Sequence, residues 1–204
     1  MANKKSPDLH GNAPDNSPVA LLLIDVINDF EFDDGADDLF QHALPAAKKI
    51  SLLKERTTQA GIPAIYVNDN FGKWRSDLDK LVSHCIDDDT RGRPIAQLLK
   101  PSAEDYFVLK PKPSGFYSTT LDLLLRHLGA RHLIITGFSG DICVLLTAGD
   151  AYLRDYHLFV PRDCVASQCE EENELALKYE ERVFEADTRS SDDLDLTLLQ
   201  SRGD

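Results

Sequence analysis

The 204-residue sequence lacks any apolar run approaching the roughly 18 residues that a bilayer-spanning helix needs, so no such helix is expected. Basic charge is scarce. Twenty-two Lys and Arg against 35 Asp and Glu leave a net charge of -13, which argues against nucleic acid or an anionic membrane as a partner. The excess of acid does not specify a cationic substrate, because an acidic surface mainly keeps a chain soluble. Cysteine is also sparse. Four of them, Cys85, Cys143, Cys164 and Cys169, are too few for a disulfide framework in a chain of this length. None forms a CxxC pair, so a zinc knuckle or thioredoxin-type site is not expected, and a reducing, cytoplasmic setting is. No G-x-G-x-x-G follows an apolar run, which leaves dinucleotide binding without its fingerprint. Residues 1–17 are polar, without the apolar core of a signal peptide, and read as a disordered tail before a single domain over 18–204.

What is present alternates. Apolar runs at 19–24, 64–67, 106–109, 133–136 and 158–160 are short and continuous, as strands buried on both faces should be. Between them lie helical patterns: residues 37–60, with Leu44, Ile50, Leu52 and Leu53 as apolar positions and Pro45 where the regular part begins; two shorter stretches around Leu81 and Leu98; residues 121–128, stopped by Gly129; and a charged helix over 170–185. Leucines at 194–199 predict a last strand or an arm on a partner subunit. Strands alternating with helices predict an α/β fold with a mostly parallel sheet of five or six strands and right-handed crossovers. The run Asp87-Asp88-Asp89 reads as a solvated turn, there being no histidine or second carboxylate cluster at ligand spacing.

The stretch ARHLIITGFSGDICVLLTAGDAYLRD, residues 130–155, organises the rest. A strand is cut by Gly137-Phe138-Ser139-Gly140, Asp141 is placed to cap a helix, and Cys143 falls in its first turn. Unpaired backbone N–H groups and the positive helix end gather there, and can pull a thiol pKa down far enough to make a nucleophile near neutral pH. Ile142 and Val144 beside it equally suit a buried core cysteine. Two other strands also finish in reactive groups, Asp25 and Lys110. In a doubly wound sheet those ends share one edge, so a carboxylate, an ammonium and a thiol are expected in one cleft, a set sufficient for acyl transfer through a thioester. Phe30, Asn68, Phe71, Trp74, Phe116 and Tyr117 are candidates for its walls; the aromatics suit the core equally, and the loop over 68–75 a capped surface turn.

Three segments, LLLIDVINDF, LKPKPSGFYSTTLD and ITGFSGDICVLLTAGDAY, resemble in order the signatures of the isochorismatase-like cysteine hydrolases, over residues 19–165. The resemblance implies a three-layer α/β/α fold, often dimeric or tetrameric, in a family that includes nicotinamidases, N-carbamoylsarcosine amidohydrolases and isochorismatases. It implies Asp25 as general base, Lys110 as catalytic lysine and Cys143 as nucleophile. It also implies a cis peptide between Phe138 and Ser139, and oxyanion donors at the N–H groups of Ser139 and Cys143. Metal-dependent nicotinamidases carry Asp-x-His after the second strand, where this chain has Asp69-Asn70-Phe71 and no histidine before His84. No metal and no cofactor is therefore expected. Retention of all three catalytic groups leans toward C–N cleavage of a small amide or ureido compound. The alternatives are hydrolysis of an enol ether, which need not use the cysteine, and a silent oligomeric scaffold.

Overall fold

The structure is a computed structural model that describes residues 16–69 and 77–201. Six strands form one sheet: β1 (Val19–Ile24), β2 (Ala64–Asp69), β3 (Tyr106–Lys110), β4 (His132–Phe138), β5 (His157–Phe159) and β6 (Val165–Ala166). The order is β3-β2-β1-β4-β5 with β6 also against β4, and every ladder is parallel. The α/β architecture expected from the alternating runs is therefore present.

Among the described residues seven α-helices cover the sheet: α1 (Ala36–Gln59), α2 (Leu78–Asp87), α3 (Arg93–Leu98), α4 (Leu121–Leu128), α5 (Leu145–Tyr152), α6 (Glu170–Val183) and α7 (Leu196–Ser201). Alternation along β1 shows how the layers are divided. Val19, Leu21 and Leu23 join a core with Leu39, Ile50 and Leu53 of α1 and with Leu81, Ile95 and Leu199. Ala20, Leu22 and Ile24 join a second core with Leu121 and Leu125 of α4, Ala148 of α5 and Leu177 of α6. Successive side chains point to opposite faces of a strand, so β1 feeds both cores and is buried throughout.

Several expectations about the elements need correction. The first helix starts at Ala36, and Pro45 lies inside it rather than at its start. An interior proline forfeits a hydrogen bond and costs about 3 kcal/mol. Here Ala36, Leu39 and Ala43 before it, and Ala46, Ala47, Ile50 and Leu53 after it, bury on one stripe, and that burial outweighs the loss. Leu52, read as an apolar position, points outward at 53% exposure.

The leucines at 194–199 form neither a strand nor an arm. Leu194, Leu196 and Leu199 are buried in the core that contains α1. Arg56 near the end of α1 donates from Nη1 to the Ser191 carbonyl and from Nη2 to the Leu194 carbonyl, both at 2.7 Å, and Gln200 Nε2 donates to the Ala60 carbonyl at 2.6 Å. The C-terminal segment thus covers the end of α1 and ties off carbonyls that would otherwise lack partners. Ser17, assigned to the polar tail, is buried and donates its N–H to Leu128 at 2.9 Å. The charged helix closes at Val183, before Glu185, whose φ of 55° breaks the helical path. Among the described residues no helix is long and apolar enough to cross a membrane.

Candidate active site

The register of the sheet sets the site. Ile24, the last residue of β1, pairs with Val67 of β2 and Gly137 of β4, and Asp69 at the end of β2 pairs with Lys110 at the end of β3. Asp25 comes next after β1, and Cys143 lies in a single π turn, Gly140–Val144, between β4 and α5. The carboxyl edge therefore presents lysine, acid and thiol from three different strands, with the acid in the middle.

The two chain ends that flank Asp25 are shaped by unusual backbone. Asp25 has φ 51°, a left-handed conformation that costs an L-residue about 1–2 kcal/mol. Its N–H donates to Val67 at 3.1 Å, and its Oδ1 accepts from the Asp69 N–H at 2.7 Å. Gly137 has φ 126°, and a Cβ there would lie 2.0 Å from the Ile24 carbonyl oxygen, so only glycine lets β1 and β4 approach this closely. The bond between Phe138 and Ser139, expected to be cis, is trans, for no cis peptide occurs among the described residues. The change of direction is made at Gly137 and in the π turn instead. Asp141, expected to cap the helix, makes no such bond; its own N–H donates to Ser167 Oγ at 3.0 Å.

Lys110 joins the three groups. Its side chain is fully buried, and Nζ lies 2.7 Å from Asp25 Oδ2, 3.7 Å from Asp69 Oδ2 and 3.5 Å from Cys143 Sγ. A buried ammonium is tolerated only when paired this closely. Burial pulls its pKa down, but the charges of Asp25 and Cys143 outweigh burial and leave it above the ordinary lysine value. It is a permanent cation.

The acid and the thiol both sit above their ordinary values. Burial raises the Asp25 carboxyl against the pull of Lys110 and of its hydrogen bonds. Burial, then the charge of Asp25, pushes the Cys143 thiol up to about 12. This corrects the expectation that the start of a helix would lower it. The desolvation of a half-buried sulfur and a carboxylate facing it exceed the attraction of a few N–H dipoles. A carboxyl raised by burial is the better proton acceptor when a neighbouring thiol reacts.

The remaining candidates separate. Asn68 is no pocket wall: fully buried, it accepts from the Ile27 N–H at 3.3 Å and donates to the Ile27 carbonyl at 2.7 Å, pinning the chain just beyond Asp25. Phe30 is wholly buried with its ring edge-on to Phe40 and Phe138, and Phe116 is buried under the Arg154 guanidinium at 4.7 Å. Both are core. Tyr117 is 58% exposed. Ser139 lies between β4 and the π turn, where its carbonyl accepts from Val144 at 3.1 Å. Phe71 and Trp74 lie outside the described residues. Two groups were not singled out by sequence reasoning, Asp69 and Thr147. Asp69 bonds both to Asp25 and toward Lys110. The only sequence signal for Thr147 is its position one helical turn beyond Cys143.

Residues 19–191 match the family model for the isochorismatase domain. An uncharacterized isochorismatase family protein of Bacillus subtilis strain 168, YaaI, is 42% identical over 175 residues, 86% of this chain and 95% of that protein. Among solved structures, N-carbamoylsarcosine amidase from Thermoplasma acidophilum superposes with a TM-score of 0.67 at 28% identity, covering 87% of this chain and 98% of that one. A pyrazinamidase/nicotinamidase from Streptococcus mutans UA159 gives 0.65 at 29% identity, covering 83% and 99%. With its parallel sheet, and with acid, ammonium and thiol gathered at one edge, the chain belongs to the isochorismatase-like hydrolases.

Proposed function

We propose that the protein cleaves the C–N bond of a small amide or ureido compound through a thioester on Cys143. The observation that carries this reading is the position of the Lys110 ammonium, 2.7 Å from the Asp25 carboxylate and 3.5 Å from the Cys143 sulfur. An isolated buried lysine beside a core cysteine would have no need of a strained acid facing it.

In the proposed reaction Asp25 accepts the proton of Sγ as the sulfur attacks the carbonyl carbon, and the C=O π electrons move onto oxygen. The backbone N–H groups of Ser139 and Cys143 are assigned to that oxyanion. As the intermediate collapses, the C–N bond breaks and the proton on Asp25 passes to the departing nitrogen, leaving ammonia or an amine and a thioester. Asp25 then takes a proton from water, the hydroxide adds to the thioester carbonyl, and the acid product leaves as sulfur recovers its proton. Lys110 faces one negative charge throughout, whether it sits on oxygen or on sulfur, so the proton moves without a net change of charge in the buried site. The amidase names carried by two of the structural relatives support a carbonyl substrate bonded to nitrogen.

The test is ammonia release from a panel of small amides and ureides. Turnover by the native protein with none by Cys143→Ala supports the reading. Hydrolysis of an enol ether that survives Cys143→Ala but not Asp25→Asn would replace it.

A further inference from the structure

We infer that Thr147 is a positioning residue that sets the meeting of Lys110 with the Cys143 sulfur; this rests on the reaction proposed above. Thr147 lies in α5 with no exposed surface. Its hydroxyl donates to the Cys143 carbonyl at 2.6 Å. Taken alone, that is the local bond any helical threonine can make to the preceding turn. The same oxygen, however, accepts from the N–H of Gly115 at 3.0 Å, 32 residues away in sequence. Gly115 belongs to the loop that leaves β3 directly after Lys110.

One buried hydroxyl thus joins the backbone that carries the nucleophile to the backbone that carries the ammonium. The approach is close on every side. A Cβ on Gly115 would lie 2.8 Å from Val67 Cγ1, 3.2 Å from Leu121 Cδ2 and 3.4 Å from Thr147 Cγ2, so the loop lies flat against helix and sheet with no slack. A second tie lies one turn along α5. Ser114 Oγ donates to Asp150 Oδ2, and Asp150 Oδ1 is held by Arg154 Nη1 at 2.9 Å. That tie anchors the loop to the helix but does not reach Cys143. Thr147 ties the Cys143 carbonyl to the loop that follows Lys110, and a hydroxyl is needed because it must donate to one side while accepting from the other.

Thr147→Val keeps the shape and removes both bonds; Thr147→Ser keeps both. The readout is the pH dependence of iodoacetamide labelling at each cysteine, resolved by peptide mass spectrometry. Half-buried Cys169 serves as the reference, and buried Cys85 and Cys164 report opening of the fold. With the ammonium displaced the thiolate loses its counter-charge, so the valine variant is expected to label Cys143 about tenfold more slowly near neutral pH. Labelling of Cys85, Cys164 and Cys169 should be unchanged, and the serine variant should return to within about twofold of native. A native profile in the valine variant would overturn the inference. So would a serine variant as slow as valine, or a rise in labelling at Cys85 and Cys164, the mark of a merely structural loss. Failure of the proposed reaction looks different: Cys143→Ala would then keep its turnover whatever happens at Thr147.

Discussion

Asp25 combines two unfavourable conditions, a left-handed backbone and a carboxylate buried at 7% exposure. The buried charge is met by what surrounds it, namely the Asp69 N–H and the Lys110 ammonium. Removing one member of such a pair strands the other. Asp25→Asn is expected to abolish turnover and to lower stability by about 3–5 kcal/mol in urea unfolding, because buried Lys110 loses its nearest counter-charge and keeps only Asp69 at 3.7 Å. Cys143→Ala should abolish turnover with a much smaller loss of stability. Equal losses in the two variants would contradict the pairing. Glu180 on α6 is the opposite case. It is fully buried, neither carboxylate oxygen has a hydrogen-bond partner among the described residues, and burial pushes it up to about 8 from 4.5. The native state therefore keeps a proton that the unfolded chain releases between those two values. The stability this contributes is fully present below pH 4.5, falls as pH rises toward 8, and levels off beyond. Glu180→Met should raise the unfolding free energy measured in urea by an amount that grows across that window, reaching a few kcal/mol at its upper end. A pH-independent gain would show that the carboxyl is not the cause.

At the scale of elements, legibility in the sequence followed burial. The strands β1 and β4 are buried along their whole length, so their apolar runs were legible, and the same reading singled out Asp25 just beyond the end of β1. Pro45 misled because a local rule was applied where tertiary packing decides. The π turn at Gly140–Val144 is set by contacts far away in sequence, such as Ser167 Oγ with the Asp141 N–H, which no local pattern encodes. The thiol pKa failed for a related reason: helix-end dipoles can be read from a sequence, but desolvation cannot. The leucines at 194–199 were seen as apolar but not as helical, since six residues give too little period to distinguish. Their role in α7 is open to test. Leu199→Ala should cost about 2–5 kcal/mol in chemical unfolding, while Leu198→Ala, at 46% exposure, should lie within about 0.5 kcal/mol of native. Similar values for the two would mean that α7 does not pack as described.

For the molecule as a whole, the net charge of -13 implies self-repulsion that mobile ions relieve. Raising sodium chloride from about 10 mM to 150 mM shortens the Debye length from about 30 Å to 8 Å, and the melting temperature should rise over that interval. A flat or falling response would mean that the paired charges outweigh the unpaired ones. The strand order has another outcome. Lys110 is supplied by β3, Asp25 by β1 and Cys143 by the turn after β4, with β2 between the first two. No fragment spanning fewer than four neighbouring strands holds Lys110, Asp25 and Cys143 together, and the acid and the sulfur are separated by more than half of the sequence. On the proposed reaction, a chain in which β1 to β4 are not yet joined would show no turnover, and its onset during refolding would coincide with the pairing of these four strands.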